Sequence, residues 1–140
     1  MDGEGDRLLA LRFVAQASRL RDVRIAVEDA VSRSGCTVPC CRDIVLAVDE
    51  ACQNIIRHAY CSEPGGEIVL EIERQGNRLV FWLRDFAPKV DVGAVKSREL
   101  DDVRPGGLGV HFIREVMDES GFVTGPSDAG NVFRMIKRIG

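Results

Sequence analysis

Three polar side chains, Glu50, Asn54 and His58, recur at every fourth position through EACQNIIRHAY, residues 50–60. At about 100° per residue, helical positions four apart lie within ~40° of one another, so the three form a single narrow stripe. The stripe borders an apolar face made by Ile44, Val48, Ala51, Cys52, Ile55 and Ala59. A carboxylate there can take a proton from a hydroxyl or a water, and an amide oxygen is a neutral hard ligand suited to Mg²⁺. Phosphoryl transfer would use both. Taken alone, the stripe is better read as a solvated helix edge with a core histidine hydrogen-bonded through its ring, and the rest of the chain decides.

Two further stretches offer complementary chemistry. In Arg84-Asp85-Phe86-Ala87-Pro88 an apolar strand ends in a carboxylate. On the floor of an apolar pocket, Asp85 would accept from an exocyclic amine such as that of adenine; it would also serve as a turn former that bonds its own backbone. Gly106-Gly107-Leu108-Gly109 stands at the start of a helical pattern, where close-lying backbone N–H groups and the helix dipole favour a phosphate. The stretch is not a G-x-x-x-x-G-K-[ST] loop and follows no buried parallel strand, so neither Walker-type nor Rossmann chemistry is indicated.

The elements that must hold these groups can be read from periodicity. LLALRFVA, residues 8–15, reads as a first strand. Ser18 is placed to cap a helix with Leu20, Val23, Val27, Ala30 and Val31 on one face and Gly35 as its left-handed stop. A second helix should begin near Pro39 and run to about Tyr60. EIVLEIER and RLVFWLRDF alternate with period two on either side of Gln75, Gly76 and Asn77, the pattern of a hairpin. Residues 87–106 lose periodicity and read as a lid loop. HFIREVMDE follows as a helix with Val110, Ile113 and Met117 on one side, and two short strands, around GFVT and NVFRMIKRI, close the chain. The order predicts an α+β fold, a mostly antiparallel sheet covered by helices on one face.

Composition narrows the classes. A chain of 140 residues, 45% hydrophobic, suits one cored domain over residues 1–140. Nineteen basic and 22 acidic residues are mixed along it for a net charge of -3, so no basic stripe points to nucleic acid. No apolar run approaches the ~20 residues of a membrane span, and MDGEGDRLLA lacks the basic and apolar regions of a signal peptide. A soluble, cytoplasmic protein without a membrane partner is expected. Cys36, Cys40, Cys41, Cys52 and Cys61 are odd in number and contain no C-x-x-C pair, which fits reduced thiols better than disulfides or zinc.

In this order the three stretches resemble the boxes of the GHKL ATPase superfamily, whose Bergerat nucleotide-binding fold is shared by histidine kinases, DNA gyrase, Hsp90 and MutL. The chain looks most like the short anti-sigma-factor serine kinases of the RsbW/SpoIIAB type. LAVDEACQNIIRHAY is similar to their N-box, LRDFAPKVD to their adenine box and GGLGVHFIREVMDE to their glycine-rich box ahead of a lid helix. The resemblance implies a two-layer α/β sandwich on a mixed, mostly antiparallel sheet. It also implies Glu50 as general base, Asn54 as Mg²⁺ ligand, Asp85 as adenine reader, and Gly107 and Gly109 as backbone at the phosphates. Arg57, His58, Ala87, Pro88, Arg104, Gly106, Leu108 and Val110 would line the ATP around them. Ala87 stands where the adenine box commonly has glycine. Pro105 and Arg104 replace an arginine directly beside the glycine box, and Asn131 replaces a small hydroxyl residue. The partners implied are a STAS-domain anti-anti-sigma protein and a sigma factor, with a homodimer through the first strand and helix. The alternatives are an ATP-binding module that holds or activates a partner without transferring phosphate, and a detached histidine-kinase-like ATPase domain. The chain has no dimerisation helix pair bearing a phosphoacceptor histidine.

Overall fold

The computed structural model describes residues 5–61, 65–87, 105–123 and 130–139, with side chains in the third segment from His111 onward. Most of the expected lid loop, including Pro88 and Arg104, lies outside the described residues. Five strands form one sheet: β1 (Asp6–Val14), β2 (Glu67–Gln75), β3 (Arg78–Asp85), β4 (Glu119–Val123) and β5 (Asn131–Arg138), in the spatial order β1-β2-β3-β5-β4. Every pairing is antiparallel, so among the described residues the sheet is not mixed. Two of the pairs, β2–β3 and β4–β5, are consecutive along the chain, whereas β1 reaches β2 through α-helices and β3 pairs with β5 across the segment that bears the last helix.

Alternation sets the two faces of the sheet. Ile68, Leu70 and Ile72 on β2, then Leu79, Phe81 and Leu83 on β3, are fully buried on the side facing the helices. Gly76, at φ 65, supplies the left-handed turn residue between Gln75 and Arg78 that a tight hairpin needs. Three helices cover this face: α1 (Leu20–Ser32), α2 (Val38–Asn54) and α3 (Pro105–Val116). Helix α2 packs against both of the others. The five predicted apolar positions of α1 are all buried, and so are Ile44, Val48, Ala51, Cys52 and Ile55 of the α2 face.

Two local expectations are corrected, and the expected start of α2 near Pro39 is borne out with its cap identified. Ser18 does not cap α1; residues Ala17–Arg19 form a 3-10 turn that leads into it, and the residue before α1, Arg19, makes no side-chain cap bond. The start of α2 is instead fixed by Thr37, whose side chain accepts from the Cys40 backbone N–H at 3.2 Å, with Pro39 in the first turn. Second, α3 begins at Pro105 rather than near His111, so Gly106, Gly107 and Gly109, expected at the start of the helix, lie within its first turns. The fixed φ of Pro105 suits that first turn, and the first-turn N–H groups that follow have no intrahelical acceptor. Gly35 does end the first helical segment in the left-handed region, at φ 87.

Candidate functional site

Helix α2 gives way after Asn54 to a π-turn, Ile55–Ala59, closed by the Tyr60 N–H to the Ile55 carbonyl at 3.0 Å. Glu50 and Asn54 sit one regular turn apart before it, and Arg57 lies within it. Helical side chains lean toward the N-terminus, so the long Arg57 reaches back along the stripe. Its Nη2 donates to Glu50 Oε2 at 3.0 Å and to Asn54 Oδ1 at 2.9 Å. Nη1 donates to Gln53 Oε1 at 3.1 Å. The Glu50 side chain is 23% exposed, open enough to meet a ligand and shielded enough to be held in place. His58 is exposed, so it is not the core histidine that the stripe alone would allow.

Asp85 closes the helix-facing row of β3 and is 2% exposed. Its Oδ1 accepts from the Ala87 backbone N–H at 3.0 Å and from Asn131 Nδ2 at 2.9 Å. Burial raises its pKa above the ordinary carboxylate value, and the bonds from Asn131 and the Ala87 N–H pull the other way without cancelling it. The turn-forming role and the recognition role are thus compatible in one residue. The Ala87 bond is the Asx-type turn, and it orients the carboxylate. Asn131 faces Asp85 because β3 and β5 pair them directly. A side chain at Gly130 would collide with the Asp85 carbonyl and come within 2.7 Å of the Ala87 carbonyl, so only glycine lets β5 approach this turn.

Tyr60 joins the two halves. Its hydroxyl donates to the Glu67 carbonyl at 2.7 Å and accepts from the Phe86 N–H at 2.7 Å. The end of the π-turn is thereby fastened both to the start of β2 and to the residue after Asp85. Gly66 lies flat beneath the ring, its would-be Cβ 2.5 Å from Tyr60 Cε1. Burial lifts the Tyr60 hydroxyl's pKa, which keeps it a neutral donor. Tyr60, Gln53, Gly130 and the Asn131 bond have no signature in the sequence, since each acts through a contact set by strand register or by the π-turn.

The donor set fits Mg-nucleotide in kind. Asn54 offers a neutral oxygen, and Arg57 Nε is buried with no acceptor, leaving a guanidinium that is incompletely satisfied beside it. Among the described residues no group of three His, Cys, Asp or Glu is arranged to hold a metal, and all five cysteines are free thiols. The Cys52 thiol is fully buried and pushed up in pKa, an inert core group.

Residues 13–137 match the model of the histidine kinase-like ATPase domain family. The chain belongs to that family. Its curated relatives include the serine-protein kinase RsbW of Halalkalibacterium halodurans, 32% identical over 123 residues, 82% of this chain and 73% of the relative. The serine-protein kinase RsbW of Staphylococcus epidermidis is 31% identical over 140 residues, 94% of this chain and 86% of that protein. Within the histidine kinase-like ATPases the chain therefore belongs with the RsbW kinases. Among solved structures, the RsbU and RsbW domains of Rv1364c from Mycobacterium tuberculosis superpose with a TM-score of 0.64 at 18% identity, over 94% of this chain and 32% of that one. At that identity the likeness is one of fold, and this chain spans about a third of that protein. Use of ATP follows from the ATPase family. No described helix is long and apolar enough to cross a membrane.

Proposed function

We propose that this chain is an ATP-dependent serine/threonine protein kinase that acts as an anti-sigma factor, phosphorylating a STAS-type anti-anti-sigma partner with Mg-ATP. The observation that carries the reading is the convergence of Glu50 Oε2 and Asn54 Oδ1 on one guanidinium nitrogen, at 3.0 and 2.9 Å. A base and a hard neutral ligand that close can serve the attacking hydroxyl and the phosphates together. The hydroxyl oxygen of the partner bonds to the γ-phosphorus while the bond to the β–γ bridging oxygen breaks and ADP leaves. The hydroxyl proton passes to the Glu50 carboxylate.

Asp85, held by Asn131 and Ala87, accepts from the adenine amine. The backbone of the first turns of α3, at Gly107 and Gly109, would lie at the phosphates, with Gly106 and Leu108 beside it. Asn54 would hold Mg²⁺, which would supply neutralisation of the phosphate charge. Arg57 and His58 would flank the triphosphate, and the family pattern adds Pro88, Arg104, Gly109 and Val110 to the nucleotide-binding residues. The cytoplasm, a sigma factor as second partner and a homodimer complete the reading; β1, at the sheet edge, and the adjoining α1 are the surfaces through which two copies would meet.

The test is transfer of label from γ-labelled ATP to candidate STAS partners, with wild type and Glu50→Ala compared. Label on a partner serine or threonine with wild type alone is expected. Tight ATP binding by wild type without transfer to any cognate partner refutes the kinase. It would leave an ATP-dependent binding module in its place.

A further inference from the structure

The base and the amide of the site are tied to a chain of polar side chains that runs back along α2 toward α1. Asp49, 9% exposed, accepts from Arg24 Nη1 of α1 at 2.9 Å on one oxygen and from Gln53 Nε2 at 2.7 Å on the other. Gln53 in turn accepts from Arg57 Nη1, and Arg57 Nη2 spans Glu50 and Asn54. Buried polar groups normally have partners, yet Arg57 Nε has none. The guanidinium is therefore held by its two ends in an orientation that leaves its third N–H unmet. Its position answers to Gln53, Glu50 and Asn54 rather than to its own best hydrogen bonding.

We propose that, in the site read above as the Mg-ATP site, Arg57 holds the position that a divalent cation would take at Asn54, and that Gln53 and Asp49 are positioning residues that pin it there. Nη2 already lies on the Asn54 oxygen that a divalent cation would take. A cation at that oxygen would face a guanidinium at near-contact distance, and like charges so close repel. Arg57 must swing aside on metal entry, and doing so breaks its bond to Gln53. Until then one fixed positive charge neutralises Glu50 and keeps the base and amide in their rotamers. The unmet Nε donor makes the resting arrangement easier to leave. The inference rests on Asn54 as metal ligand, but it concerns the exchange of one positive group for another, not the transfer step.

The measurement is Mg²⁺-dependent binding of a non-hydrolysable ATP analogue to the full chain, followed by calorimetry across a metal titration. Gln53→Met keeps the side chain's length and helix propensity and removes both of its hydrogen bonds. Its Mg²⁺ midpoint should fall about fivefold, the factor that corresponds to one typical hydrogen bond. Asp49→Asn removes the charge and turns one of the two accepting oxygens into a donor, loosening the hold on Gln53, and should move the midpoint the same way by a smaller factor. Affinity for the metal-free nucleotide should stay within about twofold in both, which a loosened fold would not produce. A Gln53→Met midpoint equal to or above wild type, with an unchanged circular-dichroism spectrum, overturns the proposal and leaves the ATP site standing. Should that variant fail to fold, Asp49→Asn decides on the same criterion. Wild type that binds nucleotide with no Mg²⁺ dependence overturns instead the assignment of Asn54.

Discussion

Replacing Asp85 with asparagine should move affinity and stability in opposite directions. The carboxylate is 2% exposed and accepts from Asn131 and Ala87 through the same oxygen, so asparagine can keep its shape and accept those two bonds with its amide oxygen. What it loses is charge. A hydrogen bond to a charged group contributes about 1.5–3 kcal/mol, so loss of the adenine contact should weaken ATP binding roughly tenfold to a hundredfold. The amide NH₂ that replaces the second oxygen would also oppose the adenine amine, donor to donor. Stability should change with the other sign. The folded-state pKa of Asp85 lies above its ordinary value of 3.8 because burial penalises the charge. The folded form thus binds the proton more tightly than the unfolded form. This favourable contribution is fully present below about pH 3.8 and is lost as pH rises through the folded-state value. At neutral pH the wild type carries the whole cost of a buried carboxylate, and Asp85→Asn should be the more stable protein. Urea denaturation at several pH values, with ATP titrations on the same samples, measures both. A variant that binds ATP as wild type does refutes the adenine role; one that is less stable than wild type at pH 7 refutes the claim that burial dominates the electrostatics.

Two other perturbations probe the frame around this residue. Tyr60→Phe removes one hydroxyl that serves both the Glu67 carbonyl and the Phe86 N–H, and should cost about 1–3 kcal/mol in urea denaturation while weakening ATP binding through the displaced Asp85 turn. An unchanged midpoint would mean that water replaces both contacts. Gly130→Ala places a methyl against the Asp85 and Ala87 carbonyls and should destabilise by roughly 1–3 kcal/mol; a fully stable variant would show that β5 can retreat from the turn freely.

The sequence was most legible where one period repeats over a long element. The α1 face from Leu20 to Val31 and the β2–β3 hairpin follow directly from spacing, because a misplaced apolar residue there would reach solvent. Glu50, Asn54 and Asp85 were legible as chemistry, and the structure puts the first two on one guanidinium. What could not be read depends on register or on a break in period. Asn131 meets Asp85 only because two strands 46 residues apart pair at that step. The i, i+4 rule carried the polar stripe through His58, but the π-turn interrupts the helix after Asn54, and Arg57 becomes the residue that joins Glu50 and Asn54. The boundary of α3 is hard to read for a related reason: glycine disfavours helix interiors, yet in a first turn opened by proline that cost is small against the packing of Ile113 and Val116.

The π-turn itself has a use in this frame. Such turns are rare, and they occur frequently at functional sites. An uninterrupted α-helix would close each N–H onto the carbonyl four residues back; here the Tyr60 N–H reaches five back, to Ile55. The wider turn carries Tyr60 round to where its hydroxyl meets both Glu67 and Phe86, while Ile55 remains in the core and Arg57 can still turn back toward Glu50. One irregular turn thus ends the helix that bears Glu50 and ties it to the strand end that bears Asp85. The two ends of an ATP molecule need receptors a fixed distance apart. A covalently continuous link from Glu50 through Tyr60, closed by one hydroxyl onto Phe86, holds that distance without relying on loop packing.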